Sequence, residues 1–309
     1  MEHSQPLVKK PVLKKEKGKR RVISEKLVPH LFILPAMLFL FIFVLLPLIM
    51  SFVLSLTDSN LISASFNWVG LDNYSRLLSD PTFWQVVKNT FIFGFVSVSV
   101  TVILATILAN FLDRKIRGIN FLKGIFFLPY ITPMVAISIV WIWLFDQHFG
   151  LINWFIGLFN IPQIPWLTQP GWAMAAIIIM KIWKVVGYYT IILIAGLQNI
   201  PDDIYEAARI DGAGEFKIFM KIKLPLLSPS LLFVMIVAII ASFQDFDQIY
   251  TMTQGGPADS TNMIIYYLYQ YGFEFFEAGY ASSVSVVLFI TLFFITWLQA
   301  HLSRKWVHY

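Results

Sequence analysis

The sequence predicts an all-α polytopic membrane protein with six transmembrane helices, on three observations. First, 58% of the 309 residues are hydrophobic and only 13% are charged. A water-soluble domain carries about 25% charged residues, so the solvent that suits this surface is lipid. Second, six apolar segments recur, at 31–56, 85–112, 122–145, 172–197, 226–248 and 280–300. Each holds about 20 residues or more, enough at about 1.5 Å per residue to cross a hydrocarbon core of about 30 Å. Third, 19 of the 23 Lys and Arg residues fall on one side if the spans alternate. No alternating barrel pattern appears, and a helix is the element that satisfies its own backbone in lipid.

The bases orient the chain. Nine lie in the N-terminal 30 residues, four in the 113–123 connection, four in 198–225 and two in the C-terminal tail. Only Arg76 and Lys88 fall on the opposite side, while Lys181 and Lys184 sit inside the fourth segment. The positive-inside rule then places both termini in the cytoplasm and turns loops 57–84, 146–171 and 249–279 outward. The first apolar run is far longer than a signal-peptide core and ends in no small-x-small cleavage site, so it reads as an uncleaved span. Its preceding tail, KKPVLKKEKGKRR, reads as a topology determinant that touches anionic headgroups rather than nucleic acid. With no internal repeat or linker, the layout is a basic cytoplasmic tail over 1–30, one six-helix domain over 31–303 and a short cytoplasmic tail over 304–309.

Composition also excludes chemistry. There are no cysteines, hence no disulfides or thiolate sites. The five histidines, at 3, 30, 148, 301 and 308, form no close ligand set, so a membrane-embedded enzyme lacks its constellation.

One polar interruption stands out, QNIPDDIYEAARIDGAGEFKIFMKIKLP at 198–225. Pro201 suits a first helical turn, and Asp202 and Asp203 complement the helix dipole there. Ile204, Tyr205 and Ala208 share a face, with Glu206 and Arg209 off it. Gly212 and Gly214 are expected to stop the helix, and a second short helical piece runs from Glu215 toward Lys223 before Pro225 opens the fifth span. A helix of about ten residues is marginal alone in water. It either lies on headgroups, tacked by Lys217, Lys221 and Lys223, or docks into a cytoplasmic partner.

The spacing Glu206-Ala207-Ala208, three residues, Gly212, nine residues, Ile222-x-Leu224-Pro225 resembles the EAA loop of permease subunits from binding-protein-dependent ABC importers. NWVGLDNYSRLLSD at 67–80, FFLPYITPMV at 126–135, TQGGP at 253–257 and GYASSVSVVLF at 279–289 resemble the carbohydrate branch of that family. The resemblance implies a type I (MetI-like) transmembrane fold with its core at about 85–300. It implies a second, related permease as heterodimer partner, two cytoplasmic ATPase subunits and an extracytoplasmic sugar-binding protein, in a bacterial inner membrane. ATP and Mg would be bound by the ATPase subunits, with no cofactor, metal or catalytic group in this chain. It further implies that 198–225 forms a coupling helix. Glu206 and Asp211 would supply polar contacts, Gly212 the turn, and Ile222, Leu224 and Pro225 the anchorage to span five, with Ala207, Ala208 and Gly214 completing the set.

Within the spans, Lys181 and Lys184 each carry an insertion cost of about 2.5–3.5 kcal/mol at a helix centre, so their shared face must meet protein or water. Trp183-Lys184-x-x-Gly187 resembles a pattern common in the family, and SFQDFDQIY ends the fifth segment. The resemblance implies that Lys184, Gly187, Tyr188, Gln244, Asp245, Asp247 and Gln248 lie on or near the substrate path. The competing expectation is that Lys184 pairs with an acid to hold the assembly together. Trp141, Trp143 and Trp154 are read as structural, as interfacial aromatics usually are. An ion-coupled sugar transporter is the alternative function, sharing polar midspan residues but offering no reason for the EAA spacing.

Overall fold

The computed structural model describes residues 19–63, 66–113 and 117–307, with side chains from residue 28 onward. The basic tail up to residue 18, the loop bases Arg114 and Lys115, and the final two residues of the C-terminal tail lie outside the described residues. Four helices are long and apolar enough to cross a membrane: Val28–Leu54, Pro81–Leu112, Pro170–Gln198 and Ala278–Ser303. Two bent pairs, Ile119–Ile131 with Met134–Leu144 and Glu215–Leu226 with Ser228–Phe243, complete six when each pair counts as one span. Among the described residues, extended pairing is limited to an isolated bridge between Thr57 and Trp68. The described residues divide into two compact units, one ending at Ser51 and the other beginning at Phe52.

The bend in the third span corrects the expectation of a continuous span at 122–145, and the helix expected at 226–248 is shorter, running Ser228–Phe243. The third span turns by 97° and the fifth by 66°. In the third, Thr132 is extended (φ −69°, ψ 142°), because the ring of Pro133 excludes the residue before it from the helical region. In the fifth, helix Ser228–Phe243 stops at Gln244, and Asp247–Met252 is a separate short helix. The loop-side half of that span carries a π turn at Phe219–Lys223, where the Leu224 N–H bonds to the Phe219 carbonyl five residues back. Pro225 lacks an N–H and presses on the carbonyl four residues before it, so the ladder widens just upstream. Leu46-Pro47 follows the π turn at Phe41–Leu45 in the same way.

Within the second unit, the Pro81–Leu112 helix is the spine. Thr90, Gly94, Ser97, Thr101 and Ala105 recur every three or four residues and are all buried, a stripe small enough to let helices approach closely. Its far face, with Phe95, Ile103 and Phe111, is exposed, as suits a lipid contact. The spine contributes to three apolar clusters. At one end, Ala105 and Ala109 meet Leu193, Leu197, Tyr205, Ile218 and Leu227. Centrally, Phe93 meets Trp141, Phe145, Trp166, Ile177 and Met180. At the other end, Phe83 and Val86 meet Leu77, Phe243, Tyr267 and Tyr280. Trp141 is thus core, while Trp143 and Trp154 are exposed.

That last end is clasped by polar contacts. Asp80 caps the spine helix through the Thr82 amide at 2.8 Å and accepts from the Tyr267 hydroxyl at 2.6 Å. Arg76, on the short helix Asp72–Ser79, pairs with Glu277 and lies 4.3 Å over the Tyr280 ring.

Candidate functional site

The loop at 198–225 forms the helix Asp202–Ile210, entered from Pro201 with both aspartates in its first turn. It ends in a Schellman arrangement. The Ala213 amide bonds to the Ala208 carbonyl at 2.9 Å and the Gly212 amide to the Arg209 carbonyl at 3.0 Å. Gly212 has φ +77°, the left-handed position where a β-carbon is strained. Gly214 does not share this role, which corrects the expectation of a two-glycine stop. At φ −71° and ψ 159° it is the extended N-cap of the next helical piece, Glu215–Ile218.

The helix face is also narrower than its sequence suggests. Tyr205 is buried, and Ala208 and Ala213 pack beside it on the first cluster, but Ile204 is exposed. The apolar face is therefore used against the chain's own bundle. What remains outward is Glu206, Ala207, Ile210, Asp211 and Phe216, with Ile210 at 86% and Phe216 at 74% exposure. Ile222 packs against the first cluster, with Leu224 and Pro225 half-buried at the start of span five.

A latch fixes the corner. Lys223 donates to the Asn110 side chain at 2.9 Å and lies 5.2 Å from the Tyr205 ring. It joins the spine's end, the loop helix and span five, so it is committed to protein rather than to headgroups. A cleft of about 790 Å³ opens beside the latch, lined by Asp113, Tyr205, Glu206, Arg209 and Lys223 among others. Burial pushes the Asp113 carboxyl up, against the pull of Lys223 and Lys123. Burial, reinforced by Asp113 and Asp202, pushes the Tyr205 phenol up to about 12, so it stays neutral, its hydroxyl without a partner among the described residues. The Arg209–Glu215 pair at 3.1 Å is open to solvent and contributes little.

Deep in the bundle, the two lysines of span four go to different partners. Lys181 pairs with Asp245 at 2.6 Å, both side chains about nine-tenths buried. Lys184 reaches no acid among the described residues. Its ammonium donates to the carbonyls of Pro129 (3.0 Å), Tyr130 (3.4 Å) and Thr132 (2.6 Å). Within the chain Lys184 thus caps a broken helix, and the reason lies in span three. Pro133 has no N–H to offer the Pro129 carbonyl four residues back, and a helix end in lipid must find donors elsewhere. A cation at a helix C-terminus also meets the negative end of its dipole.

Gly187 and Tyr188 belong to the same joint. A β-carbon on Gly187 would overlap the Phe126 carbonyl, and the Tyr188 ring stacks on Tyr130 at 4.1 Å with 5° between planes. Lys184, Gly187 and Tyr188 are spaced i, i+3, i+4 and together clamp the broken third span. Sequence reasoning missed this clamp. Its signal was the Pro129/Pro133 spacing, which takes the backbone donor from the Pro129 carbonyl and leaves it to the Thr132 hydroxyl and to a midspan lysine opposite. Of the other expected path residues, Gln244 and Asp247 are exposed, whereas Gln248 is fully buried. Both amide atoms of Gln248 and the Asp245 Oδ2 lack partners among the described residues.

Comparisons with known proteins agree with this architecture. Residues 119–308 match the family described as binding-protein-dependent transport system inner membrane component. The trehalose/maltose transport system permease protein MalF of Thermococcus litoralis is 34% identical over 275 residues, 89% of this chain and 93% of the relative. The lactose transport system permease protein LacF of Rhizobium radiobacter is 38% identical over 282 residues, with the same shares. Among solved structures, a bacterial ABC transporter involved in the import of the acidic polysaccharide alginate superposes with a TM-score of 0.80. It is 21% identical and covers 93% of this chain and 98% of that one, a likeness of fold. The apolar spans, the EAA spacing and these matches over most of the chain lead to one conclusion: the protein belongs to the inner membrane component family of binding-protein-dependent transport systems.

Proposed function

We propose that this chain is the sugar-conducting permease of an ATP-driven importer, and that 198–225 is the lever by which separate ATPase subunits drive it. The observation that carries the reading is the division of the loop helix into two faces. Tyr205 and Ala208 are docked into the bundle, while Glu206, Ile210 and Phe216 are presented outward. A short helix welded to spans two and five through Lys223 transmits a push, whereas a loop held only at its ends would absorb it. In this reading ATP and Mg are bound by the separate ATPase subunits, with no cofactor in this chain. A second permease, an extracytoplasmic binding protein and a bacterial inner membrane with both termini cytoplasmic complete the assembly. The relatives named for trehalose/maltose and lactose transport support a small oligosaccharide as cargo. Gln244, Asp245, Asp247 and Gln248 mark its path near the end of span five, with Lys184, Gly187 and Tyr188 shaping the wall behind. Family membership weighs against the ion-coupled alternative.

The test is Glu206→Lys in the whole complex, reconstituted in proteoliposomes with its binding protein. ATP hydrolysis is expected to persist while sugar uptake falls about tenfold or more, the loss of one charged contact at an interface. Normal uptake by this variant removes the lever reading.

A further inference from the structure

Just beyond the Lys181–Asp245 pair, five aromatic rings touch one another: Phe246 just before the helix Asp247–Met252, Tyr250 on it, Tyr266 and Tyr269 on the helix Ile264–Tyr269, and Phe273 in the turn that follows. Phe246 lies 5.3 Å from Tyr250 and 4.9 Å from Tyr269. Tyr266 packs 6.1 Å from Phe246, and Phe273 lies 5.5 Å from Tyr269 at an interplanar angle of 26°. Their burial is graded. Tyr266 is buried, Phe246 and Tyr269 are half-buried, and Tyr250 (43%) and Phe273 (63%) are exposed.

We propose that these five rings form a stacking ladder that receives the pyranose ring of the sugar before it reaches the span-five end. The inference rests on the reading of this chain as a sugar permease and adds a binding site to it. Three features fit a sugar rather than lipid. Aromatic faces match the C–H faces of a pyranose, and phenol hydroxyls and carboxylates match its hydroxyls. Exposed polar residues flank the ring-bearing segments along the chain, Gln244 and Asp247 on either side of Asp245 and Phe246, and Glu274 next to Phe273. Glu274 also acts on the phenols of Tyr266 and Tyr269, adding to the upward push of burial. The rings are contiguous, each within 6.1 Å of a neighbour. The ladder also starts one residue after Asp245, so it is continuous with the proposed path.

The experiment uses the complete transporter with its binding protein in proteoliposomes, measuring uptake of labelled glucose, trehalose, maltose and lactose. Tyr250→Leu and Phe273→Leu keep an apolar side chain but remove the flat face. Tyr250→Phe and Phe273→Tyr keep the face. On the sugar that the wild type carries, each Leu variant is expected to raise KM for uptake about tenfold with maximal rate retained, the mark of lost binding. The aromatic variants are expected to stay within about twofold of wild type. Leu variants with wild-type KM overturn the ladder and leave the permease reading standing. Leu variants that lose the second permease on purification also overturn it, because the rings would then be an assembly surface. Failure of the wild type to import any of the four sugars overturns the sugar reading and the ladder with it.

Discussion

Lys181 and Lys184 are three residues apart on one helix, yet their surroundings give them different work. Lys181 neutralises a buried carboxylate, and Lys184 supplies hydrogen bonds that a proline has removed. Removing one member of a buried pair strands the other charge, at a cost of about 3–5 kcal/mol, whereas removing both is close to neutral. Lys181→Met is therefore expected to lower the thermal stability of the purified complex sharply, and Lys181→Met with Asp245→Leu to recover most of it. A double variant no more stable than the single one removes the pair from the account. The sequence marked both lysines as needing partners, because charge in a span is costly. It could not say which partner each finds, since that depends on helix rotation and on where span three breaks.

The loop helix shows what an element-level pattern reveals and what it hides. Its existence and its stop at Gly212 were legible from capping chemistry, while Pro201, expected in the first turn, is the N-cap just before it. The orientation of its faces was legible only in part, because Ile204 and Tyr205 are adjacent and just one of them can point into the bundle. Gly214 was misread because a glycine in extended backbone and one in left-handed backbone look alike in sequence. Gly212→Ala is expected to cost about 1 kcal/mol at the left-handed position and to weaken uptake more than complex assembly. Uptake and assembly can be compared in one preparation. Gly214→Ala serves as the control and is expected to leave both within the scatter of the wild type, since its φ is ordinary.

Across the whole molecule, the six-span count was legible because hydrophobic length is a property of the sequence itself. The 97° bend was not, because prolines are common in membrane helices and only packing decides which of them breaks. The clasp of Asp80, Tyr267, Tyr280, Arg76 and Glu277 was equally hidden, joining residues about two hundred positions apart. Burial raises the Asp80 carboxyl, but hydrogen bonds from Tyr267 and from the Thr82 and Phe83 amides outweigh it, leaving its pKa below the ordinary 3.8. A depressed carboxyl stabilises the fold above its unfolded value, and that contribution is lost as pH falls through the folded one. The wild-type complex is therefore expected to lose thermal stability below about pH 4 more steeply than Asp80→Asn does. Parallel acid titrations that coincide would show that the clasp does not depend on the charge.

The 97° bend in span three has a mechanical consequence. Proline-interrupted helices are commonly treated as joints about which halves of a transporter swing. Here the elbow is splinted: an ammonium group spans the gap in the backbone, a glycine lets the neighbouring helix press against it, and two stacked tyrosines brace its outer edge. Spans three and four then travel as one bracket. Any rocking between inward and outward states must take up its rotation elsewhere.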